Sequence, residues 1–314
     1  MEVLWKKFNA LGTEIIISAY LNPDQKNILE EAEKIILNFN NRFSRFLNDN
    51  ELYKFNNFSG EEFKASDMMA DLLRESKKLY LETSGAFDPT VIGSLEAVGY
   101  DKSFEKIGEG VDGKSGVDVI KIREDFLKRP RMSELIISGN KIIKPKGFRV
   151  DFGGMGKGYI VDFLADNLFS GIKNFWISAG GDLVVKGEDQ NKKGWIIGVQ
   201  NPIEPEKEIF SIKTKNGEKL AVATSGVFKR AGKKGDYNWH HIIDPRSGFP
   251  VENNILAVTV ISSNAKRADV FAKAVLILGE KEGVDFIESQ KDSACIIFFK
   301  DGGLKMSKDA IKYF

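Results

Sequence analysis

Cysteine is nearly absent: Cys295 is the one cysteine in 314 residues, so no disulfide can staple this chain internally. It stands in the apolar run Ala294-Cys-Ile-Ile-Phe-Phe299, a setting that favours a small buried hydrophobe over a nucleophile. An excess of charge is also missing. Lys plus Arg number 46 against 45 Asp plus Glu, so no overall field draws the chain to nucleic acid or to an anionic membrane, although local phosphate sites remain open to it. The opening Met1-Glu-Val-Leu-Trp-Lys-Lys7 has no apolar h-region, cleavage site or lipidation cysteine, and no transmembrane segment is read anywhere. As given, the chain is expected to be cytoplasmic, or exported if an upstream signal was removed. Histidine is scarce as well. The two that exist, His240 and His241, are adjacent, so any imidazole-dependent proton transfer is confined to that point.

What is present is an ordinary globular composition, 42% hydrophobic and 29% charged, enough to bury a large core in one domain or two. A β-branched run, Glu14 to Tyr20, predicts a strand, and apolar residues at helical spacing predict helices over Asn27 to Phe43 and Ser66 to Glu82, the second with Ser66 and Asp67 as N-cap candidates. Short strands are expected at Leu135 to Ser138, Lys141 to Ile143, Phe175 to Ser178 and Leu183 to Lys186. More follow at Trp195 to Gln200, Ile209 to Lys213, Leu220 to Thr224 and Ala257 to Ser262, with helices at Gly156 to Phe169 and Ala265 to Leu278. This order predicts α+β architecture, with mixed and antiparallel sheets and packed helices, in a single unit over residues 1–314. The polar, glycine-bearing stretch 101–130 is where two subdomains would join.

Four glycine-bearing loops carry the candidate chemistry. Asp151-Phe-Gly-Gly-Met-Gly-Lys-Gly158 has Asp151 where a P-loop needs its first glycine and Gly158 where it needs Ser or Thr, and no dinucleotide fingerprint aligns to it. It reads either as a helix-opening anion site, with Lys157 adding charge, or as a plain turn. Ser178-Ala-Gly-Gly-Asp182 reads equally as a ligand approach or a strand-to-strand turn. Ala223-Thr-Ser-Gly226 leads into the basic run Lys229 to Lys234, a solvated hairpin tip or a phosphate clamp. In Gly85-Ala-Phe-Asp-Pro89, Asp88 is held extended by Pro89 and could accept from a base or ribose edge.

In order along the chain these segments resemble the ApbE family of FAD:protein FMN transferases. The resemblance is carried by Phe8-Asn-Ala-Leu-Gly-Thr-Glu14, Phe43-Ser-Arg-Phe-Leu-Asn-Asp-Asn-Glu-Leu52, Thr83 to Val91, Val150 to Tyr159, Ser178 to Asp182, Ala223 to Gly226, His240 to Gly248 and Ala268-Asp269. It implies a T-fold-like single unit that binds FAD and Mg²⁺, places FMN on a threonine hydroxyl of a client protein and releases AMP. Relatives that hydrolyse FAD to FMN and AMP, or chiefly hold the flavin, give the alternative readings. Residue by residue, the resemblance implies flavin or nucleotide contacts from Leu11, Phe46, Ala86, Phe87, Asp88, Lys157 and Ile242. It implies His241 as the catalytic histidine; on chemical grounds Asp244 or Asp182 is the candidate to orient the imidazole. Gly154 and Asp269 match metal ligands.

One position departs from the family pattern. Where the family has a threonine ligand four residues after the metal aspartate, this chain has Lys273. On the predicted helix, Asp269 and Lys273 share a face in the order that favours an ion pair, and a protonated lysine has no acceptor to give a metal. The sequence therefore leaves two arrangements: Lys273 in the cation's place, or Lys273 turned away with water completing the Mg²⁺ shell.

Overall fold

The structure, a computed structural model, describes residues 2–102, 119–215, 217–228, 231–234 and 237–314. Of the expected features, residues 103–118 of the 101–130 stretch and Lys229 and Arg230 of the basic run lie outside the described residues. The elements run β1 (Glu2–Ala10), β2 (Thr13–Leu21), α1 (Ile28–Phe43), α2 (Glu51–Asn57), β3 (Phe63–Lys64), α3 (Asp67–Glu82), α4 (Ile92–Val98) and α5 (Val119–Leu127). They continue with β4 (Ile136–Ser138), β5 (Lys141–Ile143), α6 (Gly156–Phe163), β6 (Phe175–Ala179), β7 (Asp182–Lys186), β8 (Ile196–Gln200) and β9 (Glu208–Lys213). Last come β10 (Lys219–Gly226), β11 (Ala231–Lys234), β12 (Tyr237–His240), β13 (Ile255–Ser262), α7 (Ala265–Leu278), α8 (Glu280–Ser289), β14 (Ala294–Phe299) and β15 (Leu304–Met306). The architecture is α+β, and every sheet pairing among the described residues is antiparallel.

The chain forms two compact units, the first built from residues 1–40, 155–226 and 254–314, the second from 41–154 and 227–253. The described residues of the stretch 101–130, namely 101–102 and 119–130, belong to the second unit. In the first unit, among the described residues, eight strands form one sheet in the order β1-β2-β6-β7-β10-β13-β14-β15. The period-two alternation in β2 buries Ile15, Ile17, Ala19 and Leu21 on one face. β1 and β2 are joined by Leu11 and Gly12, both at positive φ, as a two-residue hairpin turn demands. Leu11 is an uncommon choice there, and its N–H is held by Asn40 Oδ1 at 3.1 Å.

α7 is apolar nearly all round, with Val270, Phe271, Ala272, Ala274, Val275 and Leu276 all fully buried. Its start is fixed twice. Asn264 caps it by accepting from Arg267 N, and Asp162 on α6 accepts from the N–H groups of Ala265 and Lys266 at 2.8 and 2.9 Å. The expected helix 156–169 is α-helical only to Phe163, then widens to a π turn over Leu164–Leu168. Among the described residues no helix is long and apolar enough to cross a membrane.

Burial raises the Asp162 carboxyl from 3.8 to about 6, against the pull of the two N–H groups and Lys266. A folded carboxyl with the higher pKa takes up its proton first as pH falls, so this group adds stability on acidification from about pH 7 to 5. Urea unfolding should show a gain of about 1 kcal/mol over that window from this group, and Asp162→Asn should lack it. An unchanged pH dependence in the variant would refute the assignment.

The second unit contains the sheet β3-β5-β4, the hairpin β11-β12 and helices α2 to α5. Ser66 caps α3 by accepting from Met69 N, and Glu51 holds Ser66 by its N–H and hydroxyl, both at 2.9 Å. Asn56 clasps Val150 through both its N–H and C=O at 2.9 Å, which fixes the chain leading into the glycine loop.

Candidate functional site

In the first unit, four charged side chains meet on the sheet and its helices. Gly180 and Gly181, both at positive φ, make the tight turn that starts β7 at Asp182, so this loop is a strand-to-strand turn. A Cβ on Gly180 would lie 2.3 Å from Thr13 Oγ1, which sets the β6–β7 turn beside the β1–β2 turn that carries Leu11. Lys157, in the first turn of α6, reaches Asp182 Oδ2 in an ion pair. Four residues apart on α7, Lys273 and Asp269 form a second pair through Asp269 Oδ1, and Lys273 Nζ also donates to the Asp269 carbonyl at 3.3 Å. The carboxylates are only 2% and 1% exposed, so these are interior pairs. Burial pushes the Asp182 carboxyl upward, the neighbouring charge of Asp269 adds to that, and Lys157 and Lys273 oppose it. Asp269 Oδ2 is buried with no hydrogen-bond partner among the described residues.

The glycine loop has a packing reason of its own. A Cβ on Gly158 would stand 2.6 Å from the Ala265 carbonyl oxygen, so α6 crosses the start of α7 only because residue 158 lacks a side chain. That contact brings Lys157 and Asp269 onto neighbouring helices.

In the second unit, aromatic rings gather around the histidines. Tyr100 stacks on Trp239 at 6.0 Å between centroids and meets the His241 ring edge-on at 6.3 Å. Phe46 packs against Tyr100 at 5.8 Å. The Arg45 guanidinium lies over both rings, 4.3 Å from Phe46 and 4.7 Å from Tyr100, donates to the Tyr100 carbonyl at 2.6 Å and faces Asp151 at 3.5 Å. The indole N–H of Trp239 is buried without an acceptor among the described residues. Sequence reasoning missed Arg45, Tyr100 and Trp239. Arg45 and Trp239 directly adjoin residues it chose, Phe46 and His240, and that adjacency was the available signal.

His240 is bonded within its own turn. His240 Nδ1 accepts from Ile242 N at 3.3 Å, so its Nε2 carries the proton and donates to the Val251 carbonyl at 3.0 Å. His240 therefore fastens the turn in which Val251 N donates to Ile242 O. Ile242 itself is 3% exposed and packs inward. Asp244 accepts from the N–H and guanidinium of Arg246, and Asp182 is paired with Lys157, so both carboxylates considered as orienters of His241 have other partners.

Ala86 and Phe87 are buried, and Asp88 is bound on all sides. Its Oδ1 accepts from the N–H and hydroxyl of Thr90 at 2.9 and 2.7 Å, and its Oδ2 from Arg129 at 2.9 Å. Burial lowers the Arg129 guanidinium against the pull of Asp88, and that guanidinium stacks on Phe126 at 3.5 Å. Asp88 thus clasps its own loop, a role the expectation of a base or ribose contact did not include. Burial likewise pushes the Cys295 thiol up to about 12, the state of an inert interior residue.

An antiparallel α+β fold with paired lysines and aspartates in one unit and an aromatic–imidazole cluster in the other defines a narrow class. The profile of the ApbE family matches residues 11–297, and the chain belongs to that family. Among curated relatives, the FAD:protein FMN transferase of Vibrio cholerae is 29% identical over 305 residues, 94% of this chain and 87% of its own. A solved ApbE protein of Thermotoga maritima superposes with a TM-score of 0.86 at 25% identity, covering 99% of both chains. The flavin transferase ApbE of Vibrio cholerae gives 0.82 at 26% identity, covering 100% of this chain and 99% of its own.

Proposed function

We propose that this chain transfers FMN from FAD to a threonine hydroxyl of a client protein and releases AMP. The observation that carries the reading is the near full-length likeness to an FAD:protein FMN transferase. The hydroxyl oxygen attacks the FMN-side phosphorus, the bond from that phosphorus to the bridging oxygen breaks, and AMP departs with that oxygen. His241 takes the hydroxyl proton. Support comes from its neighbour, since His240 uses both ring nitrogens on backbone groups. Lys157, already committed to an anion, supplies charge to the pyrophosphate. Leu11 in the first unit, and Phe46, Ala86, Phe87 and Ile242 in the second, are the residues the resemblance assigns to flavin-nucleotide contacts.

The resemblance also implies Mg²⁺ at Gly154 and Asp269, and the residues fit it poorly. Mg²⁺ asks for oxygens in near-ideal octahedral array, whereas each of the two buried carboxylates already holds an ammonium. Lys273 offers no acceptor. Among the described residues no group of three or more His, Cys, Asp or Glu is placed to hold a metal. No step is therefore assigned to one.

Purified protein incubated with FAD and a threonine-bearing client is expected to release AMP in step with covalent flavin on the client. AMP and FMN appearing without a client would instead make it an FAD pyrophosphatase. Bound FAD with no AMP under any condition would make it a flavin-binding protein.

A further inference from the structure

Where α6, α7 and the start of β7 meet in the first unit, the buried charges balance without an added ion. Two carboxylates, Asp182 and Asp269, face two ammonium groups, Lys157 and Lys273. Lys273 is not a surface side chain laid across a helix. Its side chain is 13% exposed on a helix buried nearly all round, and it binds Asp269 twice, through the carboxylate and the carbonyl. An ammonium has three donors in tetrahedral array, so after these two bonds Lys273 keeps one N–H to give. Of the two Asp269 carboxylate oxygens, Lys273 occupies Oδ1 and leaves Oδ2 unpartnered, so a divalent cation approaching Oδ2 would meet the ammonium charge on the same carboxylate.

We propose that Lys273 is a built-in cation: its ammonium stands at Asp269 where a divalent ion would bind, and its remaining N–H binds a phosphate oxygen of the substrate without metal. The phosphate part rests on the proposed flavin-nucleotide reading; the cation part does not. A tethered ammonium carries one positive charge instead of two and cannot leave. The site is then neutral and assembled before substrate arrives, and chelators leave it intact. The unpartnered Asp269 Oδ2 is the place where a metal would gain a foothold once the lysine is gone.

Three measurements test this. The first titrates Mn²⁺ alone into the unaltered protein and follows it by electron paramagnetic resonance; the signal is expected to remain that of the free aqua ion up to millimolar concentration. The second compares melting temperature in chelator and in millimolar MgCl₂; the unaltered protein should not respond, while Lys273→Thr should melt lower in chelator and rise by several degrees with Mg²⁺. The third measures FAD affinity by flavin fluorescence. The unaltered protein should change by less than about twofold between chelator and Mg²⁺, and Lys273→Thr should weaken by about tenfold or more in chelator and recover with the metal. Stoichiometric Mn²⁺ binding by the unaltered protein, or FAD binding that requires Mg²⁺, overturns the proposal. If FAD binds under no condition, the flavin reading fails instead, and the Mn²⁺ titration, which needs neither FAD nor a folded variant, still decides the cation.

Discussion

Replacing His241 with alanine is expected to slow AMP release from FAD by about 10²–10⁴-fold while leaving FAD affinity within a small factor, the signature of a lost general base. The His241 ring meets Tyr100 edge-on, and Tyr100 is itself stacked on Trp239 and braced by Arg45. His240 provides the internal control. Both its nitrogens bond to backbone of its own turn, so His240→Phe should cost about 1–3 kcal/mol of stability while AMP release by the folded protein stays within a small factor. A His241→Ala protein at full rate would remove His241 from the reaction.

How far the sequence told this story depended on separation along the chain. β2, α3 and α7 were legible because their apolar residues recur at two or at three to four positions, and Ser66 announced its cap. β1 escaped because Lys6 and Lys7 sit in an edge strand, where charge is tolerated on the outer positions. β14 went unassigned although its apolar run was noticed, since a short continuous run reads equally as strand or helix. At the site, the 269/273 spacing was visible because helical period relates residues four apart. The partner of Lys157 was not, because Asp182 arrives from 25 positions away through a hairpin turn. The same holds for Arg129 on Asp88, a bond across 41 positions that spacing could not announce. Local periodicity reports neighbours on one element; a pairing made by topology leaves no trace in spacing.

Gly158→Ala should be among the most destabilising single-methyl additions this chain can receive. Helix propensity alone argues the opposite, since alanine improves on glycine inside a helix by about 1 kcal/mol. Sterics reverse the sign. The added Cβ would stand 2.6 Å from the Ala265 carbonyl oxygen and 2.7 Å from Lys266 Cα, both main-chain atoms that no rotamer change can move aside. α6 must then lift from the start of α7, and overpacking of this kind costs about 1–3 kcal/mol. Lifting also stretches the Asp162 bonds to the N–H groups of Ala265 and Lys266, whose loss leaves a buried carboxylate under-satisfied at a further 1–3 kcal/mol or about that order. A net loss of about 2–5 kcal/mol is expected in urea unfolding, a large share of the usual 5–15 kcal/mol or so. Gly93→Ala supplies the contrast. That glycine lies inside α4, and a Cβ there meets nothing within 4 Å, so propensity acts unopposed and the change should stabilise by about 0.5–1 kcal/mol. Equal effects from the two substitutions would show that the α6–α7 crossing does not depend on the missing side chain. If they differ in sign, the glycine that follows Lys157 in the first turn of α6 is there to let two helices touch, and anion binding is left to the lysine beside it.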